Sequence, residues 1–82
     1  MARSEQLQCE VTILPLEVTN SDEIITDSLK TLAQYEISYE VGPLSTTLNG
    51  RAEQVWGALR QMYERATRQG GEVVMVTKVT NG

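Results

Sequence analysis

The stretch ISYEVGPLSTTLNG, residues 37–50, decides the fold. Its first part alternates: Ile37, Tyr39 and Val41 fall on one side, Ser38 and Glu40 on the other. That period of two marks a half-buried strand. Gly42-Pro43 breaks it, and residues 44–49 form a second strand. The connection is short, so the two make an antiparallel hairpin. Ser45, Thr46 and Thr47 stand in a row in the second strand. Threonine suits a pleated surface. Three consecutive hydroxyl residues, however, put polar groups on both faces of the strand. Hydroxyls buried in a sheet need partners, and a neutral polar ligand can supply them. Gly50 then supplies a turn.

A helix is expected on each side of this hairpin. Upstream, Asn20 or Ser21 caps a helix, and Glu23 lies three residues after Asn20 as in a capping box. Asp22 and Glu23 place negative charge where the helix dipole favours it. Ile24, Ile25, Ser28, Leu29 and Leu32 form one packing stripe, while Asp27, Lys30 and Gln34 face out, and the helix ends near Tyr35. Downstream, residues 51–69 carry Val55, Leu59, Met62 and Ala66 on one face, flanked by Trp56 and Tyr63. Gly57 costs about 1 kcal/mol relative to Ala in an exposed helix interior, so its presence implies a close neighbour. Arg65 and Arg68 complement the C-terminal dipole, and Gly70-Gly71 stops the helix.

The outermost segments are strands. Leu7, Cys9, Val11 and Ile13 alternate with Gln8, Glu10 and Thr12, and Pro15 ends that strand. Residues 73–79 are apolar on both faces through Val74-Met75-Val76, as for a strand covered on both sides, one of them by a partner subunit. The order is βαββαβ. One α+β domain over residues 1–82 follows, of the ferredoxin-like kind. Right-handed crossovers give a four-stranded antiparallel sheet in the order 4-1-3-2, with both helices on one face and the other face bare.

Composition excludes several functions. The net charge is −4, so the basic face that nucleic acid requires is missing, and anionic membrane surfaces are disfavoured. No run approaches the roughly 18 apolar residues of a membrane span, and the first residues lack the apolar core of a signal peptide. A cytoplasmic protein without membrane insertion is expected. Phe is absent, so the core is aliphatic with a few Tyr and one Trp. Cys9 is the sole cysteine and sits on the core side of its strand. There is no histidine. A usual zinc site therefore cannot form, and a serine nucleophile lacks its usual base. No motif marks a Ser–Lys pair with Lys30 or Lys78, and the carboxylates show no metal-ligand spacing. No catalytic residue, metal site or cofactor is read from the chain. Chains of this size bury only about 60 % of their unfolded surface, so assembly into a dimer or larger oligomer is expected.

The chemistry is expected where the first and third strands adjoin. With Leu44 and Leu48 toward the helices, Ser45, Thr47 and Asn49 share the bare face with Glu10 and Thr12, and Thr46 points inward. This patch of neutral donors and acceptors around one carboxylate suits a flat polar heterocycle better than a phosphate. The competing reading is a solvated surface or a subunit interface. Tyr35 and Tyr39 stack on a ring or simply pack, and Trp56 belongs to the core or an interface.

Three blocks together, VTILPL (11–16), GPLSTTLNG (42–50), and AEQVW (52–56) with GGEVVM (70–75), resemble the YkoF-like thiamine-binding family. The similarity runs over about residues 7–79. It implies a βαββαβ fold and non-enzymatic binding of thiamine or its hydroxymethylpyrimidine part, for sequestration, delivery or sensing in thiamine uptake and salvage. The YkoF-like pattern has two such domains in tandem, which implies that this chain makes a homodimer or homotetramer. The family's Ser-Thr element maps onto Ser45 and Thr46, and its Pro-ended strand onto Leu14, Pro15 and Leu16. Acidic residues that can precede that element are replaced here by Gly42-Pro43. On this reading hydroxyls of Ser45, Thr46 or Thr47 donate to pyrimidine nitrogens and Glu10 accepts from the exocyclic amine. The alternatives are a structural or regulatory oligomerisation module with no ligand, and a small enzyme acting on a thiamine precursor.

Overall fold

The computed structural model describes residues 5–69 and 71–82. The chain runs β1 (Gln6–Leu16), α1 (Ser21–Leu29), a 3-10 turn (Lys30–Gln34), β2 (Ile37–Val41), β3 (Thr46–Arg51), α2 (Ala52–Thr67) and β4 (Glu72–Thr80). All neighbouring strands are antiparallel, in the order β2-β3-β1-β4. This is the 4-1-3-2 order of the ferredoxin-like fold read from the other edge.

Alternation along β1 sets the two faces. Leu7, Cys9, Val11 and Ile13 are buried with Leu48 of β3 and Val73 of β4. Ile24 of α1, Leu32 of the 3-10 turn, and Val55, Ala58, Leu59, Met62 and Ala66 of α2 close that layer. Full burial of a side chain such as Leu48 or Met62 contributes roughly 1.5–3 kcal/mol. Ser28 and Thr31 also lie in the core. Their hydroxyls donate to the Ile25 and Ser28 carbonyls at 2.8 and 2.7 Å, so neither is buried unsatisfied.

The local expectations differ from the structure at several points, each with a physical reason. Asn20 occupies the N-cap, but its side chain makes no cap bond; its carbonyl takes the ordinary first-turn bonds from the Glu23 and Ile24 N–H groups, both at 3.1 Å. The first helix tightens into 3-10 geometry at Lys30. Pro15 lies inside β1, opposite Val73, because beyond Val11 that strand pairs with β4 alone and one edge is free of the ladder. Gly50 is in β3 opposite Ile37. A Cβ there would stand 2.8 Å from Ile37 Cγ2 and 3.2 Å from the Glu36 carbonyl oxygen, so close strand approach explains the residue better than a turn. Leu44 is 88 % exposed and outside the core, because it lies in the turn before β3 rather than in the strand. Trp56 is 52 % exposed, so of its two readings the core is ruled out and an interface is left.

Two tertiary contacts fix the helices. A Cβ on Gly57 would lie 2.9 Å from Tyr35 Cε1, so the glycine admits the tyrosine ring against α2. Asp27, expected to face solvent, joins α1 to α2. Arg65 Nε and Nη2 donate to its carboxylate at 2.8 and 3.0 Å, and Gln69 Nε2 adds a third bond at 2.8 Å. The Arg65 guanidinium holds the Asp27 carboxyl below its ordinary 3.8.

Two predictions follow from these contacts. Gly57→Val should cost about 1–3 kcal/mol through overpacking, and most of that cost should vanish in a Tyr35→Ala background. Thermal unfolding of the four proteins measures it; equal costs in both backgrounds would mean the ring is not the reason for the glycine. Asp27→Asn should lower Tm at pH 7. Because the folded-state value is depressed, the contribution of Asp27 is present above 3.8 and is lost as pH falls below it. The Tm difference between wild type and Asp27→Asn should therefore shrink in that acidic range, and a difference independent of pH would contradict the ion pair.

Candidate functional site

The hydroxyl-bearing hairpin ends in a tip that does not follow its neighbour strand. Val41 pairs with Thr46, and the Gly42 N–H donates to the Ser45 carbonyl at 2.9 Å, leaving Pro43 and Leu44 at the turn. Two-residue hairpin loops match the twist of their strands when the central residues take positive φ; other turns splay them. Pro43 is locked at negative φ. Among the described residues positive φ occurs at Glu17 and Gly71, not at Leu44. The tip therefore splays from the sheet.

The consequence is a broken ladder. β1 pairs with β3 only as far as Val11 opposite Thr46, yet with β4 as far as Leu16 opposite Glu72. From Thr12 onward the β3-facing edge of β1 has no strand beside it, and a slot separates it from the tip. The Thr12 hydroxyl spans the slot to the Leu44 carbonyl at 3.3 Å, long for an O–H···O bond, so it ties the tip loosely.

A cavity opens on each side of this slot. The helix-side cavity, about 240 Å³, is floored by Val11, Ile13 and Thr46, roofed by Ile25, Leu29 and Met62, and walled by the tip. Among the described residues no charged side chain lines it. The second, about 280 Å³, lies on the open face between Glu10, Thr12, Leu44, Ser45, Val76 and Lys78. Thr12, Leu44 and Ser45 line both.

The slot thus gathers four of the six residues singled out in the sequence. Ser45 is at its mouth, just before β3. Thr46 is 6 % exposed and turned to the helix side, as its inward assignment required. Thr12 bridges the gap, and Glu10 is on the open face, where its carboxylate lies 3.9 Å from Lys78 Nζ in an exposed, weak pair. Thr47 and Asn49 are on the open face but farther along, Thr47 between Glu10 and Glu40, Asn49 between Gln8 and Ser38, and neither lines either of these two cavities. The apolar wall of Ile25, Leu29, Val41 and Met62 was not read from the sequence as a site. Its signal was faint: Pro43-Leu44, an apolar tip on a hairpin whose turn lacks the usual Asn or Gly.

Cys9 does not serve the slot. Burial pushes its thiol upward, although the Thr77 hydroxyl 3.0 Å away pulls the other way, so it is a poor nucleophile. Among the described residues no helix is long and apolar enough to cross a membrane.

A family model described as thiamine-binding protein matches residues 9–81. Solved structures of the same fold include a Streptococcus pneumoniae protein, 22% identical, with TM-score 0.86, covering 94% of this chain and 87% of the other. A hypothetical protein from Methanocaldococcus jannascii is 18% identical, with TM-score 0.85 and coverage of 93% and 79%. A Thermotoga maritima protein, named as a candidate for thiamine biosynthesis or salvage, is 18% identical, with TM-score 0.77 and coverage of 90% and 81%. No curated protein matches.

If the splayed turn holds the slot open, replacing Pro43-Leu44 with Asn-Gly should let the hairpin regain matching twist. Tm should rise, and the Ile13 and Ser45 amides should exchange more slowly with solvent as the ladder extends. Unchanged exchange at both would show that something other than the turn stops the pairing.

Proposed function

The chain belongs to the thiamine-binding protein family, and from that premise we propose that it binds thiamine, or the hydroxymethylpyrimidine half of it, in the slot between β1 and the hairpin tip, without transforming it. The observation that carries this reading is an uncharged, largely apolar cavity with the hydroxyls of Thr12, Ser45 and Thr46 and an unpaired strand edge at its rim. At about 240 Å³ it is below the roughly 300–1,000 Å³ of drug-sized sites.

The aminopyrimidine ring is the half that belongs there. It is neutral, flat and edged by donors and acceptors. Ser45 and Thr46 hydroxyls donate to its ring nitrogens, and the free edge of β1 near Thr12 supplies backbone groups to its amine. Ile25, Leu29 and Met62 cover its faces. The thiazolium cation then lies on the open-face side of the slot, where Glu10 is the nearest carboxylate. The role is sequestration, delivery or sensing in the cytoplasm, carried out by an assembly of two or four copies.

A second reading has an observation of its own. Leu14, Val74 and Val76 are exposed side by side on the open face, so an assembly module without a ligand also fits.

Calorimetric titration and ligand-dependent melting separate the two. Thiamine and hydroxymethylpyrimidine should each release heat, and at 100-fold excess over Kd the gain in stability should be about 2.7 kcal/mol. Ser45→Ala and Thr46→Val should each weaken binding by roughly 2–10-fold, the range of one neutral hydrogen bond. No heat and no melting shift with folded protein would overturn the binding function. Binding at full strength in both variants would mean that the slot is not the site.

A further inference from the structure

The open face is built in rows that run across the strands. Thr12 and Val76 are opposite one another beside the slot. The next row is Glu40, Thr47, Glu10 and Lys78, one residue from each strand. The two rows are two residues apart along β1, about 6.8 Å. The open-face cavity spans both. Thr12, Leu44, Ser45 and Val76 line it at the slot, and Glu10 and Lys78 line its far end.

That far end is charged but loosely organised. Lys78 Nζ and Glu10 Oε1 are 3.9 Å apart, and the two side chains are 83 % and 54 % exposed. The separation is beyond a hydrogen bond, so the pair is weak and both groups keep bonding capacity. One hydroxyl oxygen between them accepts from the ammonium and donates to the carboxylate. A phosphate monoester is a poor substitute. It carries about −1.5 to −2 charges at pH 7 and, as the dianion, has no proton to give Glu10. Lys78 is the one cation in its row. Against it stand Glu10 and also Glu40, two strands from Glu10, at about 9.6 Å and thus within a Debye length. Arg51 is opposite Gln6, four residues back along β1, and pairs with Glu53 at 3.0 Å. The helices, whose N-termini are ready seats for phosphate, pack on the other face.

Thiamine carries, besides its two rings, a hydroxyethyl arm that ends in a free hydroxyl or, in its esters, in phosphate. The arm is attached to a thiazolium carbon that is not adjacent to the bridging nitrogen. With the aminopyrimidine in the helix-side cavity and the thiazolium beyond Thr12, the arm therefore leads away from the slot, toward Glu10 and Lys78. We propose, as an inference that rests on thiamine occupying the slot, that Glu10 and Lys78 form a selector at the end of that arm, which accepts the free hydroxyl of thiamine and rejects its phosphate esters. Glu10 is the specificity-determining residue. Its charge attracts the thiazolium, its oxygens accept from the hydroxyl, and the same charge repels a phosphate in that place. Discrimination of this kind comes from the repulsive element as much as from the attractive one.

Calorimetric titrations with thiamine, thiamine monophosphate and hydroxymethylpyrimidine test the selector, with circular dichroism to confirm that each variant is folded. The wild type should bind thiamine roughly tenfold or more tighter than the monophosphate at low salt. That gap should narrow as added salt screens the repulsion. Glu10→Gln should move the two affinities in opposite directions, thiamine weaker and monophosphate tighter, and bring them within about threefold of each other. Structural damage would weaken both. Lys78→Gln should widen the gap, because it removes the cation nearest the phosphate. Hydroxymethylpyrimidine has no arm, so in the wild type it reports on the slot alone. If it binds and the monophosphate binds as tightly as thiamine, the selector is overturned and the slot reading stands. A gap that Glu10→Gln leaves unchanged, or that Lys78→Gln narrows, overturns the selector equally. If neither thiamine nor hydroxymethylpyrimidine binds, both readings fall together.

Discussion

The site depends on one mismatch of strand pairing. β1 has two partners up to Val11 and one partner beyond it. The cause is local: Pro43 holds the hairpin turn out of the conformations that match strand twist, so the tip leaves the sheet. A ladder carried on to Thr12 and Ile13 opposite Ser45 and Leu44, as far as the hairpin reaches, would give a longer β1–β3 pairing and close the slot. The fold forgoes some backbone pairing and gains an opening whose rim consists of unpaired backbone and the hydroxyls of Ser45, Thr46 and Thr12. Polar groups beside an apolar wall favour a ligand that hydrogen-bonds to them while its faces pack on that wall.

The rest of the molecule keeps that opening in shape. α1 supplies Ile25 and Leu29 to its roof, and α2 supplies Met62. The Asp27–Arg65 pair binds those two helices together near the same end of the sheet, and Gly57 lets Tyr35 seat the segment that leads from α1 into β2. The roof is therefore carried by rigid helices, while the wall is the loosely tied hairpin tip. A rigid roof and a compliant wall permit entry without local unfolding. Leu44 is exposed at the tip and lines both cavities, so it borders the slot from either face.

Much of this architecture was legible in the amino-acid sequence. The alternation of Leu7, Cys9, Val11 and Ile13, and the helical stripe of Val55, Leu59, Met62 and Ala66, specify faces, and the short hairpin between two helices leaves one economical topology. Ser45 and Thr46 were visible as hydroxyls where aliphatic residues would pack better. What stayed hidden depends on tertiary register. Where a ladder stops is not written in either strand alone, so Leu44 was assigned to the core face of a strand that in fact begins at Thr46. Pro15 reads as a terminator unless the free edge beside it is known, and Gly50 as a turn unless the approach of Ile37 is known. Asp27 and Arg65 are far apart in the chain, and no local pattern announces their pairing. The apolar wall of the slot is made of residues that also satisfy every rule for core, which is why it carried no signal of its own.

The most direct test is to map where a ligand touches the backbone. Amide chemical shifts of isotopically labelled protein, followed during titration with thiamine, should move at residues 12–14, at Gly42 and residues 44–46, and at the slot-lining Leu29 and Met62, while a separate groove lined by Asp22, Glu23, Thr26, Asp27, Lys30 and Gln69 stays still. Shifts centred on that groove, or a spectrum that does not change at saturating thiamine, would contradict a binding slot made by the splayed hairpin.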